Sequence, residues 1–312
     1  MPSFLSSMSR LGRRRWEPLK FSNHNFVRIP TNQKIEEETI PNYIASRYYP
    51  TRIGEIFEDR YQVVGKLGFG ATSTVWLARD MEWGPIYRRY VTLKIFIKST
   101  SMGQQVDDEL KMYKRMERAS KYHPGRNAVR SLLDSFNIDG PEEKHRCLVH
   151  PPLWENVLTF LHRNPIRRLP SPILAVVLHR LFLGLDYLHT ECQIIHTDIK
   201  ANNIMFNIAD DSVFSDFEER ELQTPSPRKE VDGNTIYVSR ELRMPKEMGP
   251  PVLCDFGSAM PGDIEHSEDI QPNIYRAPEV ILEAPWTYSV DIWNVGCMAM
   301  TTSSRHTEAG PI

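Results

Sequence analysis

Long apolar runs, paired cysteines and an excess of one charge are all missing from this 312-residue sequence. No uninterrupted run of about 18 apolar residues occurs, so no membrane span is expected. The most apolar stretch, 172–189, is broken by His179, Arg180 and Asp186. The cysteines are Cys147, Cys192, Cys254 and Cys297, and no two have the CxxC spacing of a metal or redox pair. Four thiols in a chain this long make no disulfide scaffold, and a reducing compartment is expected. Lys and Arg number 38 against 40 Asp and Glu, a net charge of −2. That balance argues against binding led by a nucleic-acid backbone, and no direct nucleic-acid partner is expected. The N-terminus lacks the apolar core of a secretory signal.

What is present is an ordinary globular composition, 40% hydrophobic and 25% charged. The length suits two domains or one two-lobed domain. Residues 1–50 are expected to form a leader, with Arg10, Arg13, Arg14 and Arg15 clustered among serines and no acid before Glu17. A mitochondrial transit peptide has such a composition, and a disordered basic tail explains it more simply. From Tyr61 onward, Tyr61, Val63, Leu67, Val75, Leu77, Val91, Leu93, Ile95 and Ile97 alternate with period two and predict three strands. Helices are predicted over 107–119, 171–189, 278–282 and 288–298, with Ser171 as an N-cap ahead of Pro172. A further strand is predicted over 146–149. The polar stretch 209–251 reads as an insertion with a short strand at 235–238. Strands first and helices later give an α+β chain with two lobes.

Six constellations carry chemistry. Gly68-Phe69-Gly70-Ala71-Thr72-Ser73-Thr74-Val75 sits between two predicted strands, where glycines let a backbone approach phosphates. A plain β-turn explains this motif equally well when it is taken alone. A dinucleotide fingerprint is disfavoured because a strand follows the turn. Val91-Thr92-Leu93-Lys94 places a lysine in an apolar strand, where a buried ammonium needs an acid such as Glu109. An edge lysine reaching solvent is the simpler alternative. His196-Thr197-Asp198-Ile199-Lys200-Ala201-Asn202-Asn203 is the most specific motif: Asp198 can accept a hydroxyl proton, Lys200 can neutralise a phosphate and Asn203 can bind Mg2+. Asp255-Phe256-Gly257, Ala277-Pro278-Glu279 and Asp291-Ile292-Trp293-Asn294-Val295-Gly296 follow in that order.

Together these six elements resemble the eukaryotic protein kinase family over 61–298. Ser73 in the third glycine place, Thr197 after His196, the segment Ser267-Glu268-Asp269-Ile270-Gln271 ahead of Tyr275-Arg276, and the long spacer before Asp255 resemble the SR-protein kinase branch, particularly its fungal members. The resemblance implies a two-lobed kinase-like fold: leader 1–50, a β-rich N-lobe 51–152, a helical C-lobe 153–298 with an insertion at about 209–250, and a tail 299–312 outside the family pattern. The C-lobe is expected to be incomplete, through splicing, frameshift or gene-model error. Lys94 would hold the α/β-phosphates of ATP with Glu109 as its ion pair. Asp198 would be the catalytic base and Lys200 would meet the γ-phosphate. Asn203 and Asp255 would bind Mg2+. Leu67, Gly68, Gly70, Ser73, Val75 and Thr92 would line the nucleotide. Leu153 would supply a hinge donor, since Pro151 and Pro152 have no N–H.

The resemblance further implies Ser/Thr transfer to a protein substrate, with Arg/Ser-rich sequences as an expectation from the branch. A monomer in the cytoplasm or nucleus is expected, with no membrane partner. Thr197 replaces the arginine that commonly holds an activation-loop phosphate, so activity is expected without one. Thr224-Pro225-Ser226-Pro227-Arg228-Lys229 would be a phosphorylation or docking segment, or simply solvated insert. Glu279 is expected to lack its arginine, and Leu178 and Leu185 to lose neighbours. Two other functions compete: a truncated, catalytically dead module that binds nucleotide or a partner, and a small-molecule kinase, disfavoured by Ala277-Pro278-Glu279. Cys254 beside Asp255 is either a reactive thiol or a packing residue.

Overall fold

Period-two patterning and apolar helical stripes both lead to regular elements in the computed structural model, which describes residues 16–82, 89–98, 105–231 and 233–303. The basic cluster before Trp16 and the tail after Ser303 lie outside the described residues. In chain order the elements are β1 (Ile56–Phe57), β2 (Tyr61–Phe69), β3 (Ser73–Asp80), β4 (Tyr90–Phe96), α1 (Gln105–Arg118), β5 (Asp134–Asp139), β6 (Lys144–His150), β7 (Leu153–Asn156), α2 (Val157–Arg163), α3 (Ser171–Asp186), β8 (Ile194–Ile195), β9 (Ile204–Ile208), α4 (Ser212–Gln223), β10 (Arg228–Val231), β11 (Asn234–Tyr237), β12 (Met248–Leu253), β13 (Met260–Pro261), α5 (Pro278–Ile281) and α6 (Ser289–Ser303). Two compact units result: Met1–Met102 with Leu132–Pro152 and Asp211–Met244, and Gly103–Ser131 with Leu153–Asp210 and Pro245–Ile312.

The first unit is built on an antiparallel sheet in the order β1-β2-β3-β4-β6-β5. Tyr61, Val63, Trp76, Leu93, Ile95 and Val149 fill the core on one face. Strand β5 escapes the sequence pattern because Asp134, Ser135, Asn137 and Asp139 are poor strand formers. It forms by pairing Phe136 and Ile138 into register with Cys147 and His145 of β6.

Strand β2 is buried on both faces over 61–66, and the reason lies in two segments remote from it in sequence. Helix α4 lies against it so closely that a Cβ at Gly65 would fall 2.7 Å from the Phe217 ring. Only glycine fits there. The expected polar insertion is therefore a packed helix followed by the hairpin β10–β11, with Val213, Phe214 and Phe217 buried. Ser226, expected in an accessible segment, is buried and donates to Glu221 Oε2 at 2.7 Å, whereas Thr224 remains exposed.

The expectation of a loose leader is corrected over 16–50. Trp16 is buried, with the Arg79 guanidinium 3.6 Å from its ring centre and Tyr90 edge-on at 5.3 Å. A short 3-10 turn, Glu36–Thr39, then docks three consecutive acids. Glu36 accepts from the Ser239 N–H at 3.0 Å, Glu37 pairs with buried Lys66, and Glu38 accepts from Lys229 at 2.6 Å. Composition misses this strap because its partners lie about 30 to 200 residues downstream.

In the second unit a three-stranded sheet, β12-β9-β7, and the short pair β13–β8 frame the loops that carry the motifs. Helix α3 starts at Ser171, but Pro170 is its cap and no side-chain cap bond forms, which corrects the N-cap expectation. It runs on through a π-helical turn, Tyr187–Cys192, and stops at left-handed Gln193. The segment Ser171–Cys192 is long and apolar enough to cross a membrane by length and composition alone. Here it packs on the turn Pro124–Ala128, on β12 and on α6. A Cβ at Gly125 would stand 1.8 Å from the Leu183 carbonyl oxygen, so this crossing also requires glycine. Leu185, expected to lose neighbours, is fully buried. Leu178 is half-buried, and the exposed large apolar residues of the helix are Val176 and Phe182.

Candidate active site

The loop 196–203 hangs from one buried carboxylate. Asp291, on α6 and 0% exposed, accepts from the N–H of His196 and of Thr197, each at 2.8 Å. His189 Nε2 lies 2.9 Å from the same carboxylate. These bonds hold Thr197 at φ +65°, a left-handed conformation costly for a β-branched residue. The Thr197 hydroxyl donates to Ser258 O at 2.7 Å, and the His196 ring lies 3.0 Å from Cys254 O and edge-on to Phe256. Asn294, one turn after Asp291, reaches the Ile199 N–H at 3.4 Å and donates to Tyr275 O at 2.6 Å. The sequence motif singled out Asp291 and Asn294 without assigning this role. Two hydrogen-bonding side chains at i and i+3, facing one side of a helix, were the available signal.

This scaffold aims Asp198. Its carboxylate receives Lys200 Nζ at 2.8 and 3.0 Å, and Asn203 Nδ2 donates to both its backbone oxygen and its Oδ2 at 2.8 and 2.9 Å. The structure thus brings Asp198, Lys200 and Asn203 together. With the amide nitrogen of Asn203 committed to Asp198, its Oδ1 is the atom left for a cation. The Cys254 N–H donates to Asn203 O at 2.7 Å, which sets the neighbouring Asp255 beside this loop. Asp255 is exposed and left-handed at φ +65°. Two oxygen donors on adjacent segments suit a hard divalent cation such as Mg2+, which keeps waters and takes few protein ligands. Among the described residues no three His, Cys, Asp or Glu side chains converge on one metal, so a thiolate- or imidazole-rich site is not what this loop offers.

Glu109 is buried on α1, and a Cβ at Gly257 would be 3.4 Å from both its Oε2 and Asp255 Oδ1. Tyr113, one turn on, stacks edge-on to Phe256 at 5.4 Å; burial, and then the Glu109 charge, push its hydroxyl well above the usual range. The loop after Asp255 is tied by side chains. Arg115 donates to both Asp263 oxygens at 3.0 Å and to Gln193 O at 3.0 Å. His266 stacks on Trp286, and Gln271 bridges the Ala277 N–H and Val290 O. Glu279, expected to lack its arginine, accepts from the Ser289 hydroxyl at 2.9 Å. Cys254 packs with Leu153, Val252 and Met205, which favours the packing role over a reactive one. Leu153 itself starts β7 opposite Asn207.

The nucleotide candidates of the first unit lie on β2, β3 and β4. Gly68 faces Val75 across the hairpin, and the Gly70 N–H closes the turn onto Ser73 O at 2.8 Å. Neither glycine has a positive φ. Their contribution is room, since a Cβ at Gly68 would meet nothing within 4 Å. Leu67 precedes this space, and Val75 sits opposite Lys94 in the β3–β4 register. Thr92 is buried with no hydrogen-bond partner for its hydroxyl. A buried orphan of this kind is costly. The open turn at Gly68 and Gly70 fits the phosphates of a nucleotide.

Residues 61–308 match the protein kinase domain family, and the chain belongs to it. The match runs ten residues past Met298, where the sequence pattern placed its end. The chain is 42% identical over 285 residues to a serine/threonine protein kinase of Aspergillus fumigatus, covering 90% of this chain and 67% of that protein. It is 31% identical over 283 residues to the serine/threonine-protein kinase SRPK of Physarum polycephalum, covering 84% and 65%. With SRSF protein kinase 3 of Mus musculus it shares 37% over 175 residues, covering 56% and 30%. These relatives place it in the SR-protein kinase branch. The chain spans about two thirds of the length of the first two relatives.

Proposed function

We propose that this chain carries an ATP- and Mg2+-dependent serine/threonine protein kinase activity, with Arg/Ser-rich proteins as substrates. One observation carries the reading: the Asp198 carboxylate is aimed by Lys200, by Asn203 and by a backbone hung on buried Asp291. Asp198 accepts the proton of the attacking hydroxyl. Lys200, already within hydrogen-bond distance, offsets the charge that develops on the transferred group. Asn203 Oδ1 and Asp255 would hold Mg2+, which supplies electrostatic stabilisation of the phosphates when bound. Lys94 is assigned to the α/β-phosphates with Glu109 as its partner, and Leu67, Val75, Thr92 and Leu153 to the base. The Arg115–Asp263 pair supports activity without loop phosphorylation. Arg/Ser-rich substrates rest on the names of the relatives, and a cytoplasmic or nuclear monomer completes the proposal.

A phosphotransfer assay on an Arg/Ser-rich peptide tests it. Asp198→Ala is expected to lower transfer by about 10²-fold or more while nucleotide still binds. Equal transfer by wild type and variant would sink the assignment. A second reading, a binding module without transfer, draws on an open apolar groove of ≈ 580 Å³ on α6, lined by Ile292, Trp293, Gly296, Cys297 and Met300 beside Glu279 and Ser289. MgATP binding without any transfer would favour it.

A further inference from the structure

We propose that Tyr48, in the segment ahead of the first sheet, is a positioning residue for the glycine-rich hairpin. It fixes the peptide planes that present N–H donors to the phosphates. The consequence for the nucleotide rests on the kinase reading above; the hold on the hairpin does not.

The Tyr48 hydroxyl lies 3.2 Å from Gly70 O and 3.3 Å from Ala71 O, sharing one hydrogen between two consecutive carbonyls. A trans peptide sets its C=O and N–H in opposite directions. Drawing the Gly70 and Ala71 carbonyls towards Tyr48 therefore turns the Ala71 and Thr72 N–H groups away from it. The Gly70 N–H is already used on Ser73 O, so Ala71 and Thr72 are the next donors of the turn. Without such a hold, a turn whose glycines are met by almost nothing could rotate these peptides freely.

Tyr48 is itself well placed to hold. The adjacent Arg47 O accepts from Lys98 N at 2.9 Å, just beyond β4, and Ile97 N donates to Thr72 O at 3.0 Å. Residues 47–48 thus clamp the hairpin tip and the end of its neighbouring strand together. The Tyr43 ring leans on Tyr48 at 5.2 Å. Upstream, Glu37 is fixed on Lys66, whose strand leads into the hairpin. Burial, and then the Glu37 charge, raise the Tyr48 pKa, so the phenol remains a donor.

The test uses the whole chain in three forms: wild type, Tyr48→Phe and Tyr49→Phe. Tyr49→Phe loses a hydroxyl of the same segment that donates to Glu55 and leaves the hairpin alone. Hydrogen exchange over residues 69–74 is expected to quicken about three- to tenfold in Tyr48→Phe only, the range of one hydrogen bond. MgATP affinity is expected to fall by a similar factor, while adenosine affinity is unchanged because it has no phosphate. Unchanged exchange in Tyr48→Phe, or an equal loss for ATP and adenosine, overturns the inference. Wild-type chain that binds no MgATP counts against the kinase reading, and the exchange result still decides whether Tyr48 holds the hairpin.

Discussion

The catalytic loop and the glycine-rich hairpin are built in opposite ways. In the loop nearly every group is tied: Asp291 takes two successive N–H groups, Ser258 takes the Thr197 hydroxyl, and Asn203 and Lys200 both reach Asp198. In the hairpin the side chains are missing where the turn needs room, and one phenol supplies the hold from outside. On the proposed reading Asp198 is a proton acceptor that must stand at one place, and the strain at Thr197 is the cost of keeping it there. On the same reading the hairpin is a phosphate cradle, which must admit a ligand and so stays open on one side.

Breaking the tied half has the largest expected effect. Asp291→Ala strands buried N–H groups of His196 and Thr197, and a loss of about 3–5 kcal/mol is expected in denaturant unfolding. Transfer should vanish with it, and an unchanged midpoint would show that the loop holds itself. Next comes the base of the hairpin. Lys66→Met leaves buried Glu37 without its cation, and frees Glu36 and the Tyr237 carbonyl that Lys66 also meets, for an expected loss of about 3 kcal/mol. The double variant Lys66→Met with Glu37→Met should recover most of it, and thermal melts of the two variants decide.

Gly68→Ala sharpens the contrast at smaller scale. Because nothing stands within 4 Å of the new methyl and φ is not positive, stability should stay level or rise by up to about 1 kcal/mol. A large loss would mean the hairpin is less open than it stands here. The smallest effect is electrostatic. A hydrogen bond from Arg115 holds the Asp263 carboxyl below the usual carboxylate range. A depressed folded-state pKa gives stability that is present above the unfolded value and is lost as pH falls through the folded one. The advantage of wild type over Asp263→Asn should therefore be present at pH 7 and close below about pH 4. An advantage independent of pH would assign it to packing.

Local motifs were legible because their chemistry is contiguous. His196 to Asn203 carries acid, cation and amide within eight residues, and the structure brings those three side chains together. Alternation revealed β2, β3 and β4 because their inward residues are strongly apolar. Strand β5 stayed hidden because its polar residues resemble a loop until β6 pairs with it. The leader and insertion hide their contacts for a related reason. Glu36, Glu37 and Glu38 look like a solvated run until Ser239, Lys66 and Lys229 meet them. Leu185 looked stranded because one helix cannot show which of its faces is covered.

By itself, the amino-acid sequence determined the family, the order of its motifs and the identity of the chemical groups, since each depends on residue type and short spacing. Tertiary structure alone decided that Asp291 bears the catalytic loop, that Arg115 meets Asp263 and that residues 16–50 strap the first sheet. Those contacts join residues about 20 to 200 positions apart. Their energy comes from burial and mutual desolvation, which exist only once the chain has brought the partners together.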